Sequence, residues 1–311
     1  MEPAASAPGA VRGYASIVLA NLLFTIGFSF IAAIDAAMSV WQLVLLRGVV
    51  FTLALLPWAV RHPDVAKGSN RGLLILRGGL GTAMVLCLLF AIGVLPLSMA
   101  TLLGKTTPLW ELLMLWLLLA LRPYLSELLL IPVASLGLVL ILHPEGHVSV
   151  VALGYAGLLL ALGSGMLNSL EFVTLNRLRR SEAANTINLW YAAVMIVATL
   201  PLAVLQPWPD DPRIWLFAVT FCLFSLAGQS LLTEGMHHVS PTFASVGTLL
   251  VPVFATVIEW VVFDQQLSGL ELIGIALVLA PSALIARAEG KHSAALAATT
   301  FRWQRAGAGD A

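Results

Sequence analysis

Charge is scarce in this chain. Only 10% of its 311 residues are Asp, Glu, Lys or Arg, against about a quarter in soluble domains, too few to build a water-facing surface of ordinary size. Neither sign is in surplus: 16 basic residues balance 16 acidic ones, and no basic tract offers the footprint that nucleic acid needs. Cysteine is almost missing. Cys87 and Cys222 each stand inside an apolar run, which excludes a disulfide framework or a CxxC metal site and leaves two small buried hydrophobes. Catalytic signatures are missing as well. There is no HExxH helix and no GxSxG elbow, so the sequence offers no catalytic set, no metal ligands and no cofactor site. Leu103-Gly104-Lys105-Thr106 imitates the end of a phosphate-binding loop, but the first glycine of that motif would fall at Met99, inside an apolar run, which removes ATP hydrolysis.

Long hydrophobic runs are what the chain has in abundance. Hydrophobic residues make up 59% of it, gathered into segments of roughly twenty residues, the length a helix needs to cross about 30 Å of hydrocarbon. Ten spans are predicted, over 14–33, 41–60, 74–94, 97–119, 125–142, 151–174, 186–205, 214–235, 241–263 and 268–286. Turn-forming stretches such as His143-Pro144-Glu145-Gly146 separate them and leave no room for a soluble domain. The first run is longer than a signal-peptide core and is read as a retained helix. With the N-terminus inside, twelve lysines and arginines fall in cytoplasmic segments and only Arg213 falls outside, while Arg47, Arg77 and Lys105 lie within spans. Basic loops resist translocation, so both termini are expected in the cytoplasm and the chain in a bacterial inner membrane. Trp41, Trp58, Trp208 and Trp215 near span ends suit interfacial aromatic belts.

The chain also repeats itself. Ala100, Pro108, Trp116 and Glu127 recur as Ala244, Pro252, Trp260 and Glu271, each 144 residues further on, and Tyr14-Ala15 recurs locally as Tyr155-Ala156. Two copies of one five-helix unit are therefore expected, at 14–142 and 151–286, between a 1–13 tail and a 287–311 tail. Five is odd, so the second copy crosses in the opposite sense. The fold class predicted is an all-α membrane protein of ten helices in two inverted five-helix repeats, an arrangement used for alternating access.

Leu76-Arg77-Gly78-Gly79-Leu80-Gly81, Leu95-Pro96-Leu97-Ser98-Met99-Ala100-Thr101 leading to Thr107-Pro108-Leu109, and the second-copy stretch Val239-Ser240-Pro241-Thr242-Phe243-Ala244-Ser245 leading to Val251-Pro252-Val253-Phe254 carry a likeness. In their order and duplication these resemble the drug/metabolite transporter superfamily, specifically its EamA-type members. The resemblance implies ten helices, cytoplasmic termini and a central path lined mainly by spans three, four, eight and nine. Where family members usually end span four with Gly-Glu this chain has Leu121-Arg122, and Lys105 occupies a place where uncharged residues are commoner.

Lys105 lies roughly eight residues from the outer end of span four, about 12 Å deep at 1.5 Å per residue, and a central lysine costs about 2.5–3.5 kcal/mol to insert. It needs a polar cavity or a carboxylate. On a continuous helix Thr101, Gly104, Lys105, Pro108 and Leu112 share one face, flanked by Glu111. Two readings stay open for Lys105: contact with a substrate, or a structural pair with Glu111 or another acid. Pro108 and Pro252 are mid-span helix breaks of the kind that mark transport sites, or kinks needed for packing. Polar stripes run along span one (Asn21, Thr25), span six (Ser164, Asn168, Glu171), span eight (Ser225, Gln229, Thr233) and span nine (Ser245, Thr248, Pro252, Thr256, Glu259). The substrate-binding candidates are Lys105, Thr101, Glu111, Asn168, Gln229 and Thr248; Glu171 is the candidate for proton coupling, with a pair to nearby Arg177 as its structural alternative. Arg77 is read as snorkelling to the inner interface and Arg47 as paired. Gly78, Gly81, Gly163 and Gly165 are read as close-packing sites.

These features predict a secondary transporter that moves a small polar metabolite, an amino acid or similar zwitterion or organic anion, through the lipid bilayer, with export favoured over uptake. The rivals are a membrane-embedded enzyme, for which no catalytic cluster is visible, and a non-transporting scaffold or channel.

Overall fold

A backbone immersed in hydrocarbon must satisfy its own hydrogen bonds, and helices do this within one segment. The computed structural model describes residues 7–34, 37–94, 103–119, 125–142, 155–239, 244, 246–263, 268–270, 272–281 and 284, and among the described residues there is no strand. The helices are α1 (Ala7–Ile34), α2 (Val40–Arg61), α3 (Arg71–Ile92), α4 (Thr107–Leu119), α5 (Leu125–Leu142), α6 (Tyr155–Leu178), α7 (Ala184–Ala203), α8 (Pro212–Gly235), α9 (Leu250–Phe263) and α10 (Leu272–Pro281), with a one-turn helix at Pro63–Ala66. Six of them, α1, α2, α3, α6, α7 and α8, are long and apolar enough to cross a membrane. No more than half of each spanning stretch is buried inside the protein, from 28% in α1 to 50% in α6. The outward faces carry Leu53, Val60, Ile75, Leu159, Val197, Leu205 and Leu216. Such a girdle would drive association in water and is solvated by lipid.

Helix ends differ from the expected spans in ways that local chemistry explains. The first helix starts at Ala7, ahead of the apolar run, because nothing in Ala7–Gly13 breaks it after Pro8 in the first turn. In place of a continuous fourth span, the chain turns at Lys105–Thr106 and α4 begins at Thr107; near the expected ninth span it turns at Thr248–Leu249 and α9 begins at Leu250. Pro108 and Pro252 thus stand in first turns, where the missing N–H has no intrahelical partner to lose.

Three pairings hold the assembly: α1 against α8, α3 against α6, and α2 against α7, with α4 on α6 and α9 on α1. Exchanging α1–α5 for α6–α10 returns the same set. Two apolar clusters occupy opposite ends. Ile17, Leu74, Phe172, Leu178, Leu232 and Met236 pack at the end that carries Lys67, Arg71 and Arg177, and Ile34, Leu43, Val85, Met195, Phe221 and Cys222 pack toward the other.

The α6–α7 turn ties the basic end together. Glu182 Oε1 accepts from the Ser69 N–H at 2.7 Å, the Ser69 hydroxyl at 2.6 Å and the Asn70 N–H at 2.8 Å, completing the N-terminus of α3 from another helix pair. Arg179 donates to the Met236 and Val239 carbonyls beyond the end of α8. Burial pushes the Glu182 carboxyl up, but the Ser69 hydroxyl and the two N–H groups outweigh it and hold the carboxyl below its ordinary value. A depressed carboxyl pKa contributes stability that is present above the unfolded value of about 4.3 and is lost as pH falls through the folded value. Glu182→Gln is expected to lower stability at neutral pH by about 1 kcal/mol, below the range of about 1.5–3 kcal/mol for bonds to charged groups because Ser69 and Asn70 are exposed. Unfolding midpoints of the two chains should converge as pH drops below about 4.3; a gap that persists in acid would deny the carboxylate its part.

Candidate functional site

Lys105 stands in the turn that precedes α4, half-buried. The expected single face from Thr101 through Leu112 is therefore interrupted at Lys105–Thr106, and Thr101 lies outside the described residues. Thr106 and Thr107 close the turn: their hydroxyls donate to the Leu103 carbonyl at 2.7 Å and the Gly104 carbonyl at 3.2 Å. The turn presses on α6. A Cβ on Gly165 would lie 2.7 Å from Thr106 Oγ1, 3.2 Å from the Gly104 oxygen and 3.3 Å from the Leu103 oxygen. Gly163, two residues earlier, has nothing within 4 Å, so it is not the close-packing site expected of it, whereas Gly78 meets Val194 and Gly81 meets Tyr191 and Glu171. The helical period explains the difference, since residues two apart face different sides.

Asn168 Nδ2 donates to Thr107 Oγ1 at 3.1 Å, joining α6 to the start of α4. Glu111, one turn along α4, is fully buried and neither of its carboxylate oxygens has a hydrogen-bond partner. Of the two readings open for Lys105, the structural pair with Glu111 is not made, since neither carboxylate oxygen has a hydrogen-bond partner. Gln229 Nε2 donates to Thr233 Oγ1 at 3.4 Å, and Thr233 Oγ1 donates to Asn188 Oδ1 at 3.0 Å, a link from α8 to α7. Thr248 is buried at the turn before α9. Thr25 Oγ1 of α1 lies 3.3 Å from the Val251 carbonyl, and Gly247 abuts Ile17. The α9 turn thus meets α1 as the α4 turn meets α6. Thr256 bonds back to the Pro252 carbonyl at 3.0 Å. Ser245 and the side chain of Glu259 lie outside the described residues.

The charged groups make a layer of their own. Arg77 does not snorkel: its side chain is fully buried and Nη2 lies 2.8 Å from Glu171 Oε1, itself 3% exposed. Burial of the whole α3 face against α6 leaves the guanidinium no route to the interface. Arg77, not Arg177, is the ion-pair partner that the structure gives Glu171. Arg77 Cζ lies 4.2 Å from the centroid of the Tyr191 ring, and Arg47 Cζ lies 5.7 Å from the same ring and 5.1 Å from that of Phe51. Cation–π contact of this kind offsets part of the cost of burying a guanidinium. Tyr191, Asn188 and Thr107 were not singled out by sequence. Tyr191, one of only four tyrosines, set in an apolar span, was the available signal. At the basic end His237 and His238 follow α8, and burial holds His237 below its ordinary value.

The sequence pattern of the EamA-like transporter family matches residues 11–143 and again 155–287, the second match starting and ending 144 residues after the first. The pseudopaline exporter CntI of Pseudomonas aeruginosa is 25% identical over 277 residues, which span 87% of this chain and 94% of that protein. Human solute carrier family 35 member G1 is 24% identical over 280 residues, 85% of this chain and 76% of that protein. A protein of known crystal structure, 20% identical, superposes with a TM-score of 0.73 over 90% of this chain and 98% of its own, a likeness of fold.

Proposed function

Because the chain belongs to the EamA-like transporter family, whose pattern it carries twice, we propose that it is a secondary transporter working by alternating access. Ten spans form two five-helix halves of opposite sense, residues 14–142 and 151–286, which rock about a central site. The packing pattern carries this reading: α1 lies on α8 as α6 lies on α3, α4 lies on α6 as α9 lies on α1, and α2 with α7 maps onto itself. Such reciprocity is that of a two-fold axis, and with an odd number of spans per half the axis lies in the membrane plane. The turns before Pro108 and Pro252 supply unwound backbone at related places, the usual substrate environment in inverted-repeat carriers.

The cargo is a small polar metabolite, an amino acid or a similar zwitterion or organic anion. Lys105 meets its anionic group, Thr101, Asn168, Gln229 and Thr248 hydrogen-bond its polar atoms, and Glu111 faces its cationic end. Export is the favoured direction, as in the exporter among the relatives. Both termini are cytoplasmic and the membrane is the bacterial inner membrane. Glu171 takes up the coupling proton when Arg77 is drawn away from it. No step of this reading calls for catalysis.

Counterflow in proteoliposomes loaded in turn with amino acids and organic acids tests the reading. Saturable exchange of at least one is expected, and a chain that exchanges none is a scaffold. In the same assay Lys105→Gln should weaken apparent affinity roughly ten- to hundredfold, the equivalent of a charge-assisted hydrogen bond of about 1.5–3 kcal/mol. Unchanged affinity and rate would make Lys105 structural. Full pH-gradient-driven transport by Glu171→Gln, at matched amounts of folded protein, would exclude the coupling role.

A further inference from the structure

Arg47, Arg77 and Glu171 form a buried layer in which two positive charges meet one negative charge. They come from α2, α3 and α6, and they are 6%, 0% and 3% exposed. A guanidinium carries five N–H donors and no acceptor. Glu171 Oε1 lies against Arg77 Nη2, but Nε and Nη1 of Arg77, Nε of Arg47 and Oε2 of Glu171 are buried without hydrogen-bond partners. The Tyr191 hydroxyl oxygen accepts from the Arg47 guanidinium, and the Tyr191 and Phe51 rings lie beside the two cations; one hydroxyl and two ring faces do not supply oxygen acceptors for both forks. Gly81 keeps the layer compact, because a Cβ there would lie 3.0 Å from Glu171 Oε2 and 2.9 Å from the Tyr191 ring.

We propose that Arg47 and Arg77 form a subsite for the carboxylate of a small organic acid. A carboxylate supplies what the layer lacks, one negative charge and two oxygen acceptors in a plane that matches the guanidinium fork. Phosphate or sulfate would bring more charge than the single surplus requires. The remainder of the acid would extend along α6 toward Asn168, one turn from Glu171 on the same side of the helix, and so toward Thr107 and the Lys105 turn. The ligand is then an acid with a second polar end, its carboxylate held by arginines and not by Lys105 alone. The incoming carboxylate competes with Glu171 for Arg77. This deepens the transporter reading and rests on it only for how the ligand enters.

The test uses the purified full chain in lipid nanodiscs and needs no transport. Unfolding midpoints are recorded with succinate, malate, 2-oxoglutarate and glutamate at constant ionic strength, with succinamide and inorganic phosphate as controls. At least one of the four acids should raise the midpoint of the parent chain, and succinamide and phosphate should raise it less. Arg47→Gln, which leaves the Arg77–Glu171 pair in place, should require roughly tenfold more acid or more for the same shift. If Arg47→Gln does not fold, Arg47→Lys carries the test: it keeps the charge without the fork and should also weaken the response. Lys105→Gln, which removes the contact to the second polar end of the acid, should weaken the response as well without abolishing it. The proposal is overturned if no acid acts, if succinamide or phosphate matches the acids, or if Lys105→Gln abolishes a response that Arg47→Gln leaves intact. A chain that binds the acid through Arg47 yet shows no counterflow upholds the subsite and removes the transport reading.

Discussion

Glu171→Gln is expected to destabilise the folded chain by about 3–5 kcal/mol, and Arg77→Met by less, although both substitutions break the same ion pair. The order follows from counting charge in the layer. With Glu171 neutralised, Arg77 and Arg47 remain as two buried cations near one aromatic ring and no carboxylate stands between them. With Arg77 replaced, Arg47 and Glu171 remain as one cation and one anion, separated but of opposite sign. Mutual repulsion thus adds to the desolvation cost in the first variant, and attraction offsets it in the second. Glutamine matches the glutamate in size, so packing against Gly81 and Tyr191 is retained and the difference is electrostatic. Adding Arg77→Met to Glu171→Gln should recover part of the loss by removing one of the two cations. The measurement is reversible unfolding in mixed micelles for the four chains of the cycle. Equal losses, or the reverse order, would mean that another acid neutralises the layer, and the surplus charge that motivates a carboxylate subsite would vanish with it.

The sequence announced its environment more plainly than its site. Runs such as Val40–Arg61 and Pro212–Gly235 are spans by length and composition alone, because hydrocarbon imposes one rule on every residue of a helix. The duplication was legible for a similar reason: proline and tryptophan at matched spacing survive in a background of interchangeable Leu, Val and Ala. What faces what was not legible. Arg77, six residues into α3, reads as a side chain able to reach the interface, and only the packing of α3 on α6 reveals that Glu171 intercepts it. Lys105 reads as part of a helical face because Pro108 looks like a kink within one span; the chain instead unwinds before it and starts a new helix. Proline is compatible with both outcomes, and the choice is made by the two threonine hydroxyls that close the turn. Gly163 and Gly165 are equivalent to any rule based on composition, yet only one of them meets another backbone.

That last contrast gives the second large effect. Gly165→Leu is expected to reduce transport by about a hundredfold or more, the scale at which a displacement of about 1 Å removes productive geometry, whereas Gly163→Leu should leave it within a few-fold of the parent. At position 165 the first added carbon already meets Thr106 Oγ1 at 2.7 Å, and the hydroxyl cannot simply turn aside. It donates to the Leu103 carbonyl and accepts from the Trp110 indole at 3.2 Å, the bonds that shape the turn. Beyond it stand the Gly104 and Leu103 carbonyls, which are backbone and move only with the whole segment. A leucine must therefore push the α4 turn away from α6, parting Thr107 from Asn168 and shifting Lys105, while overpacking costs about 1–3 kcal/mol of stability. Position 163 faces open space, so the same side chain tests for any general effect of enlarging α6. Both variants are inserted to equal levels in proteoliposomes and assayed with the acid or amino acid that exchanges fastest in counterflow. Parent-like affinity and rate in Gly165→Leu would show that the Lys105 turn lies off the transport path, and the search for the site would move to the α9 turn, where Thr248 and Thr25 meet.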